Sequence, residues 1–176
     1  MSVTSLPAHT ALGELLNLLC NRRLGDHAYA VVERALLALD DPESYITLYP
    51  DDEWLVEGLD LFASEEVSVR LLNWILFDEC GEWLIAGDNA DAIAERTVDR
   101  LAVEGVAVAD PPPLSTLHSY CDYFNPGLRT LTKPKALVEF DPGISKQHGV
   151  FIVDHRDTPR IAELAHRFAL HLNLPA

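Results

Sequence analysis

The spacing of apolar residues predicts a helical hairpin in the first forty residues. Leu12, Leu15, Leu16 and Leu19 recur at the spacing of one buried helical face. A turn at 21–25 follows, and a second apolar stretch ends before Asp41-Pro42, because the residue before a proline disfavours helical dihedral angles. We therefore expect two packed helices at this end of the chain.

Two further segments are typical of amphipathic helices. The first covers 89–104, where Asp88 can cap the amino end and Gly105 can provide the left-handed stop. The second covers 159–173 and opens on Thr158 and a proline, which suits the first turn of a helix. Both segments carry apolar residues at helical spacing, so each should cover part of a core.

Runs of β-branched and aromatic residues predict strands at 44–49, 136–141 and 150–154. A shorter strand is predicted at 106–109. Strand, helix and strand over 82–109 fit the length of a βαβ crossover, which would make part of the sheet parallel. The expected fold is α+β or α/β, with the hairpin packed on a mixed sheet.

The segment 72–87 has two interpretations. Alternating residues followed by Cys80-Gly81 favour a β-hairpin, although Cys-Gly is a poorer turn than Asn-Gly. Ser64, Glu65 and Glu66 could instead cap a helix that runs into this segment. We favour the hairpin.

A length of 176 residues is typical of one domain. The stiff run Pro111-Pro112-Pro113 is the candidate boundary between subdomains, because the charge of the chain changes sign there. Apolar residues make up 48% of the chain, which indicates a folded protein and not a disordered acidic tail.

The charge imbalance is concentrated in the middle of the chain. Residues 41–110 hold eighteen of the 28 acids, against only three arginines. A field of one sign attracts basic partners and repels nucleic acid and anionic membranes. Within 51–66 the acids have no compensating base, and an aromatic residue among them could anchor an interface. The predicted partner-binding residues are Asp51, Asp52, Glu53, Trp54, Glu57, Asp60, Glu65 and Glu66.

No cofactor or metal is expected. The chain has neither a P-loop nor the Gly-x-Gly-x-x-Gly turn, and His118 with Cys121 lacks the second ligand pair that structural zinc usually needs. Three cysteines without paired spacing are typical of reduced thiols. With no membrane-length apolar run and no export-signal pattern, the sequence favours a cytoplasmic location.

Asp154, His155 and Asp157 form the one candidate catalytic cluster. They follow a predicted strand and precede a helix, where ligands bind in α/β folds, and a histidine between carboxylates can move protons. Two of these residues also have a structural explanation: Asp157 can cap the helix, and His155 can be a solvated loop residue. No nucleophile motif accompanies them.

The leading hypothesis is a non-enzymatic binding protein that neutralises or escorts a basic protein. Small acidic immunity-type inhibitors of nucleases and acidic secretion chaperones are similar in charge and size, although no motif identifies either. The alternative is a small hydrolase or transferase that uses Asp154, His155 and Asp157. A pocket around His155 would favour the enzyme, and an exposed acidic face at 51–66 beside a flat His155 end would favour the binder.

Overall fold

The computed structural model describes residues 7–59, 65–144 and 147–175, and for Glu65 it describes the backbone only. Its helices and strands follow in chain order. They are α1 (Ala8–Leu19), α2 (His27–Asp40), α3 (Pro42–Leu48), a 3-10 helix (Pro50–Val56), α4 (Glu65–Glu79), β1 (Leu84–Gly87), α5 (Ala90–Val103), α6 (Leu117–Arg129), β2 (Lys135–Phe140), β3 (His148–Asp154), a second 3-10 helix (His155–Asp157), α7 (Thr158–Arg167) and β4 (Leu172–Asn173). The predicted α+β class and the amino-terminal helical hairpin are confirmed.

The strands form one sheet in the order β1, β3, β2, β4, and every pair in the described part of the chain is antiparallel. The prediction of a mixed sheet was wrong. It depended on a parallel crossover to a strand at 106–109, and this segment is neither helix nor strand. At the centre of the sheet, Val138 pairs with Phe151.

Side chains alternate across the sheet and divide the core in two. On one face, Val138, Phe140 and Phe151 pack with apolar residues of α1, α2, α4 and α7. On the other face, Leu137 and Ile152 pack with residues of α5 and α6. The sheet is therefore the middle of three layers.

The segment predicted as a strand at 44–49 is mainly the helix α3. The Asp41 side chain accepts a hydrogen bond from the Ser44 backbone N–H, and Pro42 occupies the first turn. Tyr45, which belongs to this helix, is fully buried. These amino-end signals outweigh the β-branched and aromatic composition of the segment.

The hairpin interpretation of 72–87 was wrong, and the helical alternative is correct up to Glu79. Apolar residues at helical spacing make one buried face of α4. They are Val67, Leu71, Leu72, Ile75 and Leu76. Only Leu84–Gly87 is a strand, and it pairs with β3. A Cβ on Gly149 of β3 would lie 2.6 Å from Leu84 Cδ1, so this close pairing requires glycine there.

The two predicted amphipathic helices are present with changed ends. Asn89, and not Asp88, caps α5 by accepting from the Ala92 N–H at 2.8 Å. Gly105 follows it with φ +77°, as the sequence predicted. The last helix, α7, ends at Arg167, and the following residues turn back so that Leu172 pairs with Phe140 as the edge strand β4.

The residues between α5 and α6 include the three prolines. Apolar residues from both sides of them, such as Leu101 and Leu117, belong to the same core layer. The subdomain boundary at 111–113 stays a prediction. Among the described residues, no helix is long and apolar enough to cross a membrane.

Candidate functional site

The acidic segment, residues 51–66, begins on the 3-10 helix that follows α3 and reaches the start of α4. Pro50 begins the 3-10 helix, and three acids occupy its first turn, where the positive end of the helix dipole favours them. Leu55 and Val56 are buried, whereas Asp51, Glu53 and Glu57 face solvent. The short helix thus fixes which carboxylates are exposed.

An exposed apolar patch accompanies these carboxylates. Leu48, Tyr49 and Trp54 expose 66%, 37% and 52% of their surface, and we call them the aromatic patch. The Trp54 ring meets the Trp74 ring edge-on, with centroids 5.4 Å apart. Trp74 therefore packs against part of the Trp54 ring, and the rest of that ring is exposed to a partner.

Two adjoining clefts flank the aromatic patch. One, of about 680 Å³, has a mixed acidic and apolar lining, which consists of Ile46, Pro50, Asp51, Glu53, Trp54, Val56, Glu57, Gly58 and Leu59. The other, of about 450 Å³, also includes Asp51 and Trp54. Within the described part of the chain, Asp51, Glu53 and Glu57 have no ion-pair partner, so their charge is uncompensated.

Asp52 differs from its neighbours because it is buried. Its Oδ2 accepts hydrogen bonds from Arg34 Nη2 at 2.8 Å and from the Tyr45 hydroxyl at 2.5 Å. Its Oδ1 accepts from Trp74 Nε1 at 3.0 Å. Asp52 therefore holds the acidic segment onto α2 and α4, and it is not available at the surface. Asp60 and the side chain of Glu65 lie outside the described residues, and Glu66 is exposed beside Arg70.

Arg34 is the centre of this internal network. Besides Asp52, its guanidinium contacts Glu79 at 2.6 Å and Asp78 at 3.3 Å, and it lies over the Tyr49 ring at 4.8 Å. Burial alone would lower the pKa of Arg34, but these carboxylate and hydroxyl hydrogen bonds raise it above its ordinary value. Three carboxylates against one guanidinium leave a negative surplus beside the aromatic patch.

Sequence reasoning missed Arg34 and Tyr45 as parts of this site. The one available signal was the single arginine of α2, a helix that is otherwise largely apolar around it except for Glu33. Burial and the hydrogen bond to Asp52 both raise the pKa of Tyr45 above its ordinary value, so its hydroxyl stays protonated and donates.

The candidate catalytic residues lie at the ends of β3 and the second 3-10 helix. A cleft of about 490 Å³ there is lined by Thr132, Lys133, Pro134, Asp154, His155 and Arg156. The structure therefore brings Asp154 and His155 together in one cleft, whereas Asp157 does not line it. Clefts therefore lie both beside His155 and beside the exposed carboxylates Asp51, Glu53 and Glu57.

The carboxylates beside His155 are paired with bases. Asp154 lies 3.0 Å from Lys135 Nζ and 3.8 Å from Arg22, and Asp157 lies 3.0 Å from Arg22. Burial opposes ionisation of Asp154, but Lys135 and its basic neighbours hold the pKa of that carboxyl below its usual range. In the described part of the chain, no hydrogen bond or ion pair joins His155 to either carboxylate. The pair that would orient a catalytic histidine is thus not formed.

The other candidate ligands do not converge on a metal site. His118 is exposed and faces Asp122 and Glu139, each at 3.5 Å, whereas Cys121 is buried. Among the described residues, no group of three or more His, Cys, Asp or Glu side chains is arranged to hold a metal ion.

Comparison of the chain with protein-family models, with characterised proteins and with solved structures gave no match.

Proposed function

We propose that this protein is a non-enzymatic binding protein for a basic protein partner, acting as an immunity-type inhibitor or as an escort in the cytoplasm. One observation carries the proposal: an exposed aromatic patch (Leu48, Tyr49, Trp54) lies beside Asp51, Glu53 and Glu57, which have no ion-pair partner in the described part of the chain. Interfaces commonly combine a central aromatic anchor with a charged rim.

The internal network supports this interpretation. Arg34 and Asp52 hold the backbone beneath the patch, so the exposed residues are presented on a fixed surface and little ordering is required on binding. Because three carboxylates contact the single guanidinium of Arg34, the net charge beneath the patch is negative as well. A basic partner would be steered to this face, and that advantage would decrease as salt rises.

The experiment begins with capture of partners by the tagged full chain from its native extract at low and high salt. The captured protein is then purified, and its association with the chain is followed by stopped-flow mixing. We expect the triple variant Asp51→Asn, Glu53→Gln and Glu57→Gln to associate about tenfold more slowly at low salt, with a smaller difference at high salt.

A matched control removes three exposed carboxylates from α5 and its end, through Glu95→Gln, Asp99→Asn and Glu104→Gln. Both triple variants change the net charge equally, so only a local effect can separate them. Equal slowing in the two variants, or unchanged association of the first at low salt, would contradict the proposed surface.

Trp54 tests the anchor separately from the charges. We expect Trp54→Ala to accelerate dissociation by about tenfold or more while leaving folding intact, since Trp54 is half exposed. Tyr29→Ala, which removes another exposed aromatic ring from α2, is the control. Loss of the partner's own activity on binding would identify an inhibitor, and retained activity with improved solubility would identify an escort.

A further inference from the structure

We infer that the cleft beside His155 is a binding site for a small multivalent oxyanion of the phosphate class. This site is separate from the acidic surface and does not depend on it. The wall of the cleft includes Lys133, His155 and Arg156, with Asp154 as its single carboxylate. In a chain of net charge −15, this is a local reversal of sign.

The bases around the cleft outnumber the acids. Arg22 and Lys135 do not line the cleft, but they lie 3.8 and 3.0 Å from Asp154, which does. Arg22, Lys133, Lys135 and Arg156 together carry four positive charges, against the two negative charges of Asp154 and Asp157. Within a Debye length of about 8 Å the nearest charges dominate, so an anion in the cleft meets a positive field.

The hydrogen-bonding capacity of these bases is not used up. Arg156 is 77% exposed, and its ion pairs with Asp154 and Asp157 are long, at 3.8 and 3.9 Å. Those distances exceed normal hydrogen-bond lengths, so the guanidinium keeps N–H donors for a ligand. Lys133 is exposed and has no ion pair in the described part of the chain.

His155 adds a third group. Its Nδ1 is buried and has no hydrogen-bond partner among the described residues, which is unusual for a buried polar atom. The backbone of His155 is fixed, since its N–H donates to the Pro134 carbonyl at 3.0 Å and its carbonyl accepts from Thr158 Oγ1 at 2.8 Å. The backbone of this lining residue is therefore held in place.

The backbone that places Arg22 beside this cleft is strained. Asn21 and Arg22 have φ values of +50° and +59°, a left-handed region that non-glycine residues rarely adopt. The Asn21 side chain donates to the Ile152 carbonyl at 2.6 Å and ties this turn to β3. Strain of this kind persists where surrounding contacts impose it, and it is common at ligand sites. The result here is a guanidinium that lies 3.8 Å from Asp154 and 3.0 Å from Asp157.

Phosphate fits this arrangement because several donors at different angles suit an oxyanion with oxygens on all sides. A monovalent carboxylate would use fewer of them. The probes are therefore inorganic phosphate and sulfate, with acetate and chloride as comparisons at constant ionic strength. The readout is the NMR signal of the His155 ring in the full chain.

We expect phosphate and sulfate to shift the His155 ring signals along a saturable curve, whereas chloride produces no saturable shift and acetate binds more weakly. Lys133→Ala and Arg156→Ala should each weaken phosphate binding about tenfold, which is the loss of one charge-assisted hydrogen bond. Arg167→Ala is the matched control, because Arg167 is exposed at the opposite end of α7.

Three outcomes would overturn the inference. They are shifts that rise linearly with phosphate, an equal response to chloride, or equal phosphate affinity in the Lys133→Ala and Arg156→Ala variants and the parent chain. Thermal unfolding of each variant shows whether it is folded, so a loss of binding is not confused with a loss of structure. None of these outcomes bears on the acidic surface.

Discussion

Arg34 has more charged partners than any other described side chain in the candidate partner-binding region, and its removal is the sharpest test of the packing beneath the aromatic patch. Its side chain is only 13% exposed, and that of Asp52 is 10% exposed. We expect Arg34→Ala to lower the free energy of unfolding by about 3–5 kcal/mol, because it leaves a buried carboxylate without its base. Urea unfolding at neutral pH measures this loss.

Arg23→Ala is the control for that variant. Arg23 is an exposed arginine in the turn before α2, and its removal should change the free energy of unfolding by less than about 0.5 kcal/mol. If Arg34→Ala instead lowers the free energy of unfolding by less than about 1 kcal/mol, water replaces the guanidinium at Asp52. The network of Arg34 and Asp52 would then not be a buried one.

The three cysteines should be unreactive in the folded protein. Cys20 and Cys80 are buried with their sulfur atoms 3.5 Å apart, and this contact, followed by burial, raises the pKa of Cys80. Burial raises the pKa of Cys121 to about 12. Since the thiolate is the nucleophile, a disulfide reagent should modify the native chain far more slowly than the urea-unfolded chain. Rapid modification of any one thiol before unfolding would contradict this.

At the scale of elements, the sequence predicted the helices and strands that are determined by neighbouring residues. The hairpin of α1 and α2, the helix α5 with Gly105 after it, and the strands β2 and β3 follow from periodicity and end signals. The segments 44–49 and 72–79 were assigned to strands because β-branched and aromatic residues suit both a strand and a buried helix face. Tertiary packing decided between them.

The aromatic residues of 120–124 illustrate the same limit. No helix was predicted here, but Tyr120 and Phe124 are buried on α6, which contains Pro126. The Asn125 side chain accepts from the Leu137 N–H at 2.7 Å and donates to the Leu137 carbonyl, so it continues the hydrogen bonding of β2. That partner lies twelve residues away and cannot be read from local spacing.

The sequence predicted the charges of the candidate partner-binding site but not which of its side chains are buried. Asp51 and Glu53 are exposed as expected for a partner-binding face. Asp52 lies between them in the sequence, yet its partners Arg34 and Trp74 come from elements 18 and 22 residues away. A run of three acids gives no sign of which one turns inward.

The ion pair between α1 and α7 should make stability depend on pH. Arg160 donates to both oxygens of Glu14, at 2.8 and 2.6 Å, and this hydrogen bonding lowers the pKa of Glu14 despite some burial. A lowered folded-state pKa stabilises the protein above the unfolded-state pKa of about 4.3, and the stabilisation is lost as pH falls through the folded-state value. Glu14→Gln should therefore unfold more easily at pH 7, by less than about 1 kcal/mol because the pair is partly solvated.

The difference between Glu14→Gln and the parent chain should disappear in acid, and urea unfolding across a pH series would show this. Glu163→Gln is the control, because Glu163 also contacts Arg160 but from the same helix and with greater exposure. A pH-independent difference for Glu14→Gln would mean that side-chain packing, and not ionisation, links α1 to α7.

At the scale of the whole molecule, the sheet joins the two core layers. Phe151 faces the layer of α1, α2, α4 and α7, and its neighbours Val150 and Ile152 face the layer of α5 and α6. A disturbance of β3 therefore reaches both layers. Because α5 precedes the prolines and α6 follows them, the second layer needs both halves of the chain.

This arrangement leads to a prediction for limited proteolysis. The connection between α5 and α6 is largely exposed, so a protease of broad specificity should cut near Pro111–Pro113 before it cuts α5. The two fragments should remain associated on gel filtration and unfold in one transition, because Leu101 and Leu117 share a core layer across the cut.

Tyr120 provides the variant for this experiment. Its hydroxyl accepts from the Leu114 N–H at 2.9 Å and donates to Asp91, so it fastens the connection to α5. Tyr120→Phe keeps the buried ring and removes both hydrogen bonds, and it should therefore be cut faster near the prolines. Tyr29→Phe, a change at an exposed ring of α2, should not alter the rate of cutting. Separation of the fragments after cutting, or two unfolding transitions in the intact chain, would instead establish a subdomain boundary at 111–113.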